Sequence, residues 1–463
     1  MNNEIISLCP YLGAPIPLTK TLKYQYSPLL KPGHTRLLRL MPDEQEDAGV
    51  QCWLFDYPLH DSGGGMNLYE ALSYTWGDTS SYQSISINQR DMRVTPSLYA
   101  ALLHLRDLYL ERFMWVDALC INQGDPNEKG QQVQSMAKIY AKAGRVIVWL
   151  GESADGSDQA IEVIRVASAG QPPTPLDKTS QQAILRLLQR PWFQRIWVLQ
   201  EVAAARHVLI KCGSTEIDGY AFCVGLHALN LPFEAYPDLQ SLIPTATYLI
   251  RGAPFRPRCV TTRSGRFSLQ IRPLRGLVDM YHTRKATDSR DKVYALLGMS
   301  SDDGGETTFS ADYTASWGQI FRQSVHYFLS EQVSVDTWDD EEIAVIRGKG
   351  CILGEVYSVG DATWEDAQTA DIVWRNATGY LGSKEKRNSR WTLQSGAKPV
   401  EVGDAICFLQ GAPRPTVVRQ RHDHWAIIRV AVQPPDGQQV AVREDNRSEH
   451  STFPHDILLV WDW

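Results

Sequence analysis

Between Tyr69 and Gly151 the spacing of apolar positions changes period repeatedly, and each change falls on a turn or capping residue. Tyr69 to Trp76 (YEALSYTW) is a short apolar run that predicts a buried strand, and SISINQRDMRV alternates as a hairpin turning near Asn88 to Arg90. Thr95-Pro96 then opens a helix, Thr as N-cap and Pro at the first helical position, with Leu98, Leu102, Leu105 and Tyr109 along one face. Phe113 to Ile121 predicts a second strand, Pro126 to Ala143 a helix with Val133, Met136, Ala137 and Tyr140 inward, and Arg145 to Leu150 a third strand. Strands that alternate with helices of this length pair in parallel through right-handed crossovers, so the pattern predicts an α/β unit with a parallel sheet.

On either side the pattern differs. Upstream, LLRLMPDEQEDAGVQCWLFDYPL predicts a strand pair around a Pro-Asp-Glu turn, within a lead of residues 1–65. The α/β core and its helical extension (SQQAILRLLQ, then FQRIWVLQEVAAA into the strand-like HVLIKCG) fill 66–213. A mainly helical region follows over 214–349, interrupted by the Pro/Arg/Gly-rich PFRPRCVTTRSGRF. From 350 to 463, short β-like runs (AICFLQG, TVVRQ, WAIIRVAVQ, ILLVW) separated by Gly, Pro and Asp predict a small, mostly-β module.

Composition narrows the functional classes. At 463 residues the chain needs more than one packed unit, and 43% hydrophobic with 21% charged residues is the balance of a globular protein. A net charge of -7 with scattered Lys and Arg removes the electrostatic support for nucleic-acid binding. Its eight cysteines are far apart, without CxxC or a neighbouring His at ligand spacing, which predicts reduced core thiols and no metal site. With neither a leader pattern nor an eighteen-residue apolar run, the expectation is a cytoplasmic protein without a membrane span. Phosphate-loop, HExxH, GxSxG and GxGxxG motifs are absent from the sequence, so no chemistry follows from a standard motif.

Candidate chemistry therefore rests on polar residues at the predicted strand ends, where open parallel sheets gather ligands. These are Trp76, Gly77 and Asp78 after the first strand, and Asp117, Cys120, Asn122 and Gln123 on and after the second. Asp78 equally suits a turn, Asp117 a structural hydrogen bond inside the strand, and Cys120, with no local His, an inert thiol. Asp125-Pro126-Asn127-Glu128 resembles a capping box, which leaves Glu128 either a cap or a carboxylate offered to a ligand. Two further clusters read as architecture: Arg190 to Glu201 as stacking and ion pairing inside a core or a domain interface, and Arg290-Asp291-Lys292 as ion pairing at a helix start.

Taken together, YEALSYTWGD, MWVDALCINQGDPNEKGQQVQSMAKIYAKAGRVIVWLG, RPWFQRIWVLQEVAAARHVLIKCG and DSRDKVYALLGM resemble the heterokaryon incompatibility (HET) domain proteins of filamentous fungi, in order and from Tyr24 to about Tyr313. The resemblance implies a distantly TIR-like, flavodoxin-like fold and a part in non-self recognition and regulated cell death. It also implies a candidate NAD-like substrate, with no separate cofactor: some TIR relatives cleave the nicotinamide glycosidic bond with a Glu near a helix start. Glu128 is the matching carboxylate here, and Trp76, Gly77, Asp78, Asp117, Cys120, Asn122 and Gln123 would surround the substrate. Two alternatives stand beside this one. In the first the unit is a non-catalytic module that binds a protein partner or itself; in the second it is a biosynthetic enzyme of secondary metabolism with a small-molecule substrate.

Overall fold

In the computed structural model, β1 (His34–Leu40) and β2 (Gln51–Pro58) pair antiparallel, Leu38 opposite Leu54, on either side of the Pro42 turn. The structure describes residues 22–29, 31–45, 48–59, 69–171, 176–231, 236–256, 267–302, 309–361, 367–374, 388–394, 398–430, 432 and 453–463. Next come β3 (Glu70–Tyr74) and the hairpin β4 (Gln83–Ile87) and β5 (Arg90–Val94). The hairpin turns on Asn88 and Gln89, both with positive φ, the backbone that a two-residue turn requires. Thr95 caps α1 (Pro96–Leu105), which buries Leu98, Leu102 and Leu105. The helix stops there, so Tyr109, expected on its inner face, lies beyond it and is exposed.

A second expectation fails more instructively. Strand β6 (Arg112–Trp115) ends after four residues, and Asp117–Cys120 winds into a helical turn, α2, so Asp117 and Cys120 are not strand residues. A mixed apolar run of this length fits either geometry by periodicity, and the Asp117 carboxylate tips the balance by accepting the N–H of Ala118 at 2.7 Å. Helix α3 (Pro126–Lys142) and strand β7 (Val146–Trp149) complete the predicted core. Helices α4 (Ser157–Ser168), α5 (Lys178–Leu188) and α6 (Trp197–Ala204) lead to β8 (Val208–Cys212), β9 (Thr215–Asp218) and α7 (Gly219–Leu229).

The nine strands form one sheet in the order β5-β4-β2-β1-β6-β3-β7-β8-β9. Its centre, β6-β3-β7-β8, is parallel as expected, with the four strands lying in the order second, first, third, fourth of their sequence. The sheet as a whole is mixed, because tight or short returns at β1/β2, β4/β5 and β8/β9 can only make antiparallel pairs. The fold class is thus α/β. Tyr69 and Tyr140 hold α3 to the sheet through hydroxyl bonds to the carbonyls of Ile139 (2.7 Å) and Leu72 (3.0 Å).

Helices α8 (Pro237–Gly252), α9 (Leu274–Tyr281), α10 (Asp291–Leu297) and α11 (Trp317–Phe328) make up the next region. Residues 257–266, the core of the expected Pro/Arg/Gly-rich loop, lie outside the described residues. The β-rich part starts earlier than its sequence suggests, with β10 (Ser334–Thr337) and the long β11 (Ile343–Asp361). Then come β12 (Ala367–Trp374), β13 (Asn388–Gln394), β14 (Ala405–Leu409), β15 (Thr416–Gln420), β16 (Trp425–Arg429) and β17 (His455–Asp462). Because β11 pairs with both β14 and β17, strands β11, β14, β15, β16 and β17 close a ring. This leaves no free edge within it.

Candidate functional site

A cleft of about 1050 Å³ opens at the carboxyl ends of β3 and β6. Its floor comes from the sheet: Thr75, Trp76 and Gly77 follow β3, and Asp117, Ile121 and Gln123 follow β6. Helix α3 supplies Lys129, Val133 and Met136, and the chain entering α6 supplies Arg195 and Trp197. The rest of the lining is Lys285 to Asp291, Tyr313, Ser316, Trp317 and Asp339.

Asp117 is held on both oxygens. Oδ2 accepts Trp76 Nε1–H at 2.9 Å and Oδ1 the Ala118 N–H, while Gln123 Nε2 donates to the Asp117 carbonyl at 3.0 Å. Poor solvation pushes this carboxyl above the usual range, against the pull of the Arg195 guanidinium and of its hydrogen bonds. Arg195 in turn donates to the carbonyl of Tyr74. Behind it, Glu201 is buried against Ser73, and desolvation raises its carboxyl to about 7 despite the same guanidinium. At the start of α10 Asp291 accepts Tyr313 OH at 2.6 Å and Trp197 Nε1–H at 2.9 Å, and burial raises its carboxyl too.

Gly77 has φ of 73°, and a Cβ there would lie 3.0 Å from Ser97 Cβ, so a glycine is needed where β3 turns into the cleft. Asp78, the next residue, is exposed and outside the cleft lining: its carboxylate closes a turn by accepting the N–H of Ser80 at 2.8 Å and the Ser80 hydroxyl. Those bonds pull its pKa down. Cys120 also lies off the cleft, fully buried, with its thiol pushed up to about 12 by desolvation. The other described cysteines are buried as well; Cys9 and Cys259 lie outside the described residues. Asn122 shapes the turn before α3 by accepting the N–H of Gly124 at 3.2 Å.

Glu128 takes neither of its expected places. Asp125 is the helix cap, accepting the N–H groups of Asn127 (2.9 Å) and Glu128 (3.2 Å). The Glu128 carboxylate does not complete a capping box and does not line the cleft. It binds the Arg36 guanidinium through both oxygens, at 2.6 and 3.0 Å, and accepts the N–H of Asn122 at 2.7 Å. Arg36, buried on β1, adds bonds to the carbonyls of Cys120 (3.1 Å) and Ser27 (2.6 Å) and lies under the Tyr26 ring at 5.0 Å. The pair thus ties the α2–α3 loop to the neighbouring strand.

Of the residues expected from sequence, the cleft brings together Trp76, Gly77, Asp117 and Gln123 and leaves out Asp78, Cys120, Asn122 and Glu128. It adds Lys129, Arg195, Trp197, Lys285, Asp291, Tyr313 and Trp317. Two of the blocks that carried the family resemblance contain Arg195, Trp197 and Asp291, and the clustering of Trp, Arg and carboxylate residues in them was the available signal. Among the described residues no His/Cys/Asp/Glu group could hold a metal, and no helix is long and apolar enough to cross a membrane.

Comparison with known proteins finds similarity to the same family. Residues 69–201 match the family model described as Heterokaryon incompatibility protein (HET). The chain is 26% identical over 362 residues to "Heterokaryon incompatibility protein 6, OR allele" of Neurospora crassa. That match covers 64% of this chain and 52% of the relative, so the chain spans about half the length of the curated protein it resembles. No solved structure matches.

Proposed function

Because this chain carries a HET domain over residues 69–201, we propose that it is an effector of the fungal non-self recognition type, whose strand-end cleft binds and cleaves an NAD-like nucleotide. The observation that carries the reading is the placement of the cleft. The order second, first, third, fourth of β6-β3-β7-β8 is that of flavodoxin-like sheets, whose ligands sit at the carboxyl ends of the strands. The same order supports the TIR-like relationship. The name of the Neurospora crassa relative supports the cell-level role.

In the cleavage, the bond between ribose C1′ and the pyridinium nitrogen breaks, and its electron pair stays with nicotinamide. The leaving group departs neutral and needs no acid. Positive charge then develops on the ribose, water adds at C1′, and the water's proton passes to solvent. A poorly solvated carboxylate beside the ribose stabilises that charge more than a hydrated one does, since less solvent competes for it. Asp117 is the carboxylate suited to this, oriented by Trp76 and Ala118. Glu128 is a positioning residue that reaches the cleft only through the loop it anchors.

A non-catalytic module has one observation in its favour: Asp117, Asp291 and Glu128 are all hydrogen-bonded without a ligand. Induced expression in a filamentous fungus tests the proposal. Wild-type chain should deplete cellular NAD and arrest growth, and Asp117→Asn at equal protein level should do neither. An unchanged NAD pool with arrested growth would favour the module.

A further inference from the structure

Four cationic side chains line the cleft, and they differ in what occupies them. Arg290 binds both oxygens of Asp288, at 2.8 and 2.7 Å, and donates to the carbonyls of Tyr313 and Ala315 at 2.8 Å each. Arg195 is engaged by the Tyr74 carbonyl and by the charges of Asp117 and Glu201. Lys129 and Lys285 are left. The Lys129 ammonium sits over the face of Tyr313, 3.9 Å from its centroid, with no carboxylate or carbonyl bonded to it among the described residues. Lys285 is exposed, its backbone fixed beside Arg195 by bonds to Gln194 (2.8 Å) and Ile196 (3.0 Å), and its ammonium has no partner among the described residues.

None of the lining acids bonds either lysine among the described residues. Asp288 is paired with Arg290, Asp117 and Asp291 accept hydrogen bonds from neutral donors, and Asp339 accepts the N–H of Gly318 at 2.9 Å, while the Lys129 charge acts on Asp288 and Asp291 through space. What remains among the described residues is two ammonium groups with no bonded carboxylate, on α3 and on the chain before α10, in a cleft whose lining also carries Trp76, Trp197, Tyr313 and Trp317. Flexible point charges of this kind suit phosphate oxygens, and the aromatic rings beside them suit a base.

We propose that Lys129 and Lys285 form a diphosphate subsite, which seats the pyrophosphate bridge of a dinucleotide in the cleft and contributes to its binding. The subsite rests on the nucleotide reading above for its ligand but not for its existence. It also makes the site composite, because Lys285 lies outside the HET match that ends at residue 201.

Calorimetric titration of the full chain with inorganic pyrophosphate and with NAD, alongside nicotinamide release, tests it. Wild type should bind pyrophosphate at low salt, and Lys129→Ala/Lys285→Ala should weaken that affinity by about tenfold or more while melting as wild type does. The double variant should raise KM for NAD by a similar factor and leave kcat within about threefold. Lys129→Arg/Lys285→Arg should restore most of the affinity. Pyrophosphate that fails to bind wild type, or binds the alanine variant equally, overturns the subsite. NAD cleavage indifferent to both lysines overturns it and leaves the NAD reading intact. Lysine-dependent pyrophosphate binding without NAD cleavage supports the subsite and removes the NAD reading.

Discussion

Arg36→Ala would leave the Glu128 carboxylate buried opposite nothing, with only the Asn122 N–H to hold it. Breaking one side of a buried, bidentate pair costs about 3–5 kcal/mol, because the remaining charge keeps its desolvation penalty. Denaturant unfolding of Arg36→Ala should show a loss of that size, and Arg36→Met/Glu128→Leu should lose distinctly less, since it removes both charges together. A single variant within about 1 kcal/mol of wild type would show that the pair does not anchor the loop. This bond was beyond the reach of sequence: Arg36 and Glu128 are 92 residues apart, and the local pattern at Glu128 describes only a helix start. Asp117 is similar, since Trp76, which orients it, is 41 residues away. Asp125 was legible because its partners, Asn127 and Glu128, are its own near neighbours.

Elements were read well where a cap or turn residue marked the boundary. Thr95-Pro96, Asp125-Pro126 and the Asn88-Gln89 turn all stand where the sequence places them. Between such marks the chain is ambiguous, and β6 with α2 was read as one strand because nothing in MWVDALCI breaks either geometry. Contact between elements is harder still to read. Helices α4 and α7 touch at Gly225, where an added Cβ would lie 2.1 Å from the Ile164 carbonyl oxygen. The overlap is with backbone, so no rotamer change relieves it and one helix must move. Gly225→Ala should therefore cost about 2–3 kcal/mol or more and lower the melting temperature, although alanine favours helix more than glycine does. A variant as stable as wild type would mean that α4 and α7 pack less closely than described.

At the scale of the molecule the cleft draws on segments from Thr75 to Asp339, far beyond the HET match. The β-rich part supports it from behind. Trp317, a cleft residue, meets Trp463 edge-on at 5.5 Å and donates to the Glu341 carbonyl at 2.9 Å, and Phe321 on the next turn of α11 packs on Trp461. Farther along, Asp279 of α9 accepts the N–H of Val430 at 2.8 Å. The strand-end position of the cleft follows from the alternating strands and helices, while the rest of its lining depends on chain returns that no local pattern encodes. The most direct test of the whole account is nicotinamide release from NAD by the purified full chain, with Asp117→Asn beside it. The account predicts measurable release by wild type and a rate lower by about 100-fold or more in Asp117→Asn, whose amide lacks the charge and can accept only one of the two N–H groups that the carboxylate accepts. Equal release by the two proteins, or none by wild type at any protein concentration, would contradict it.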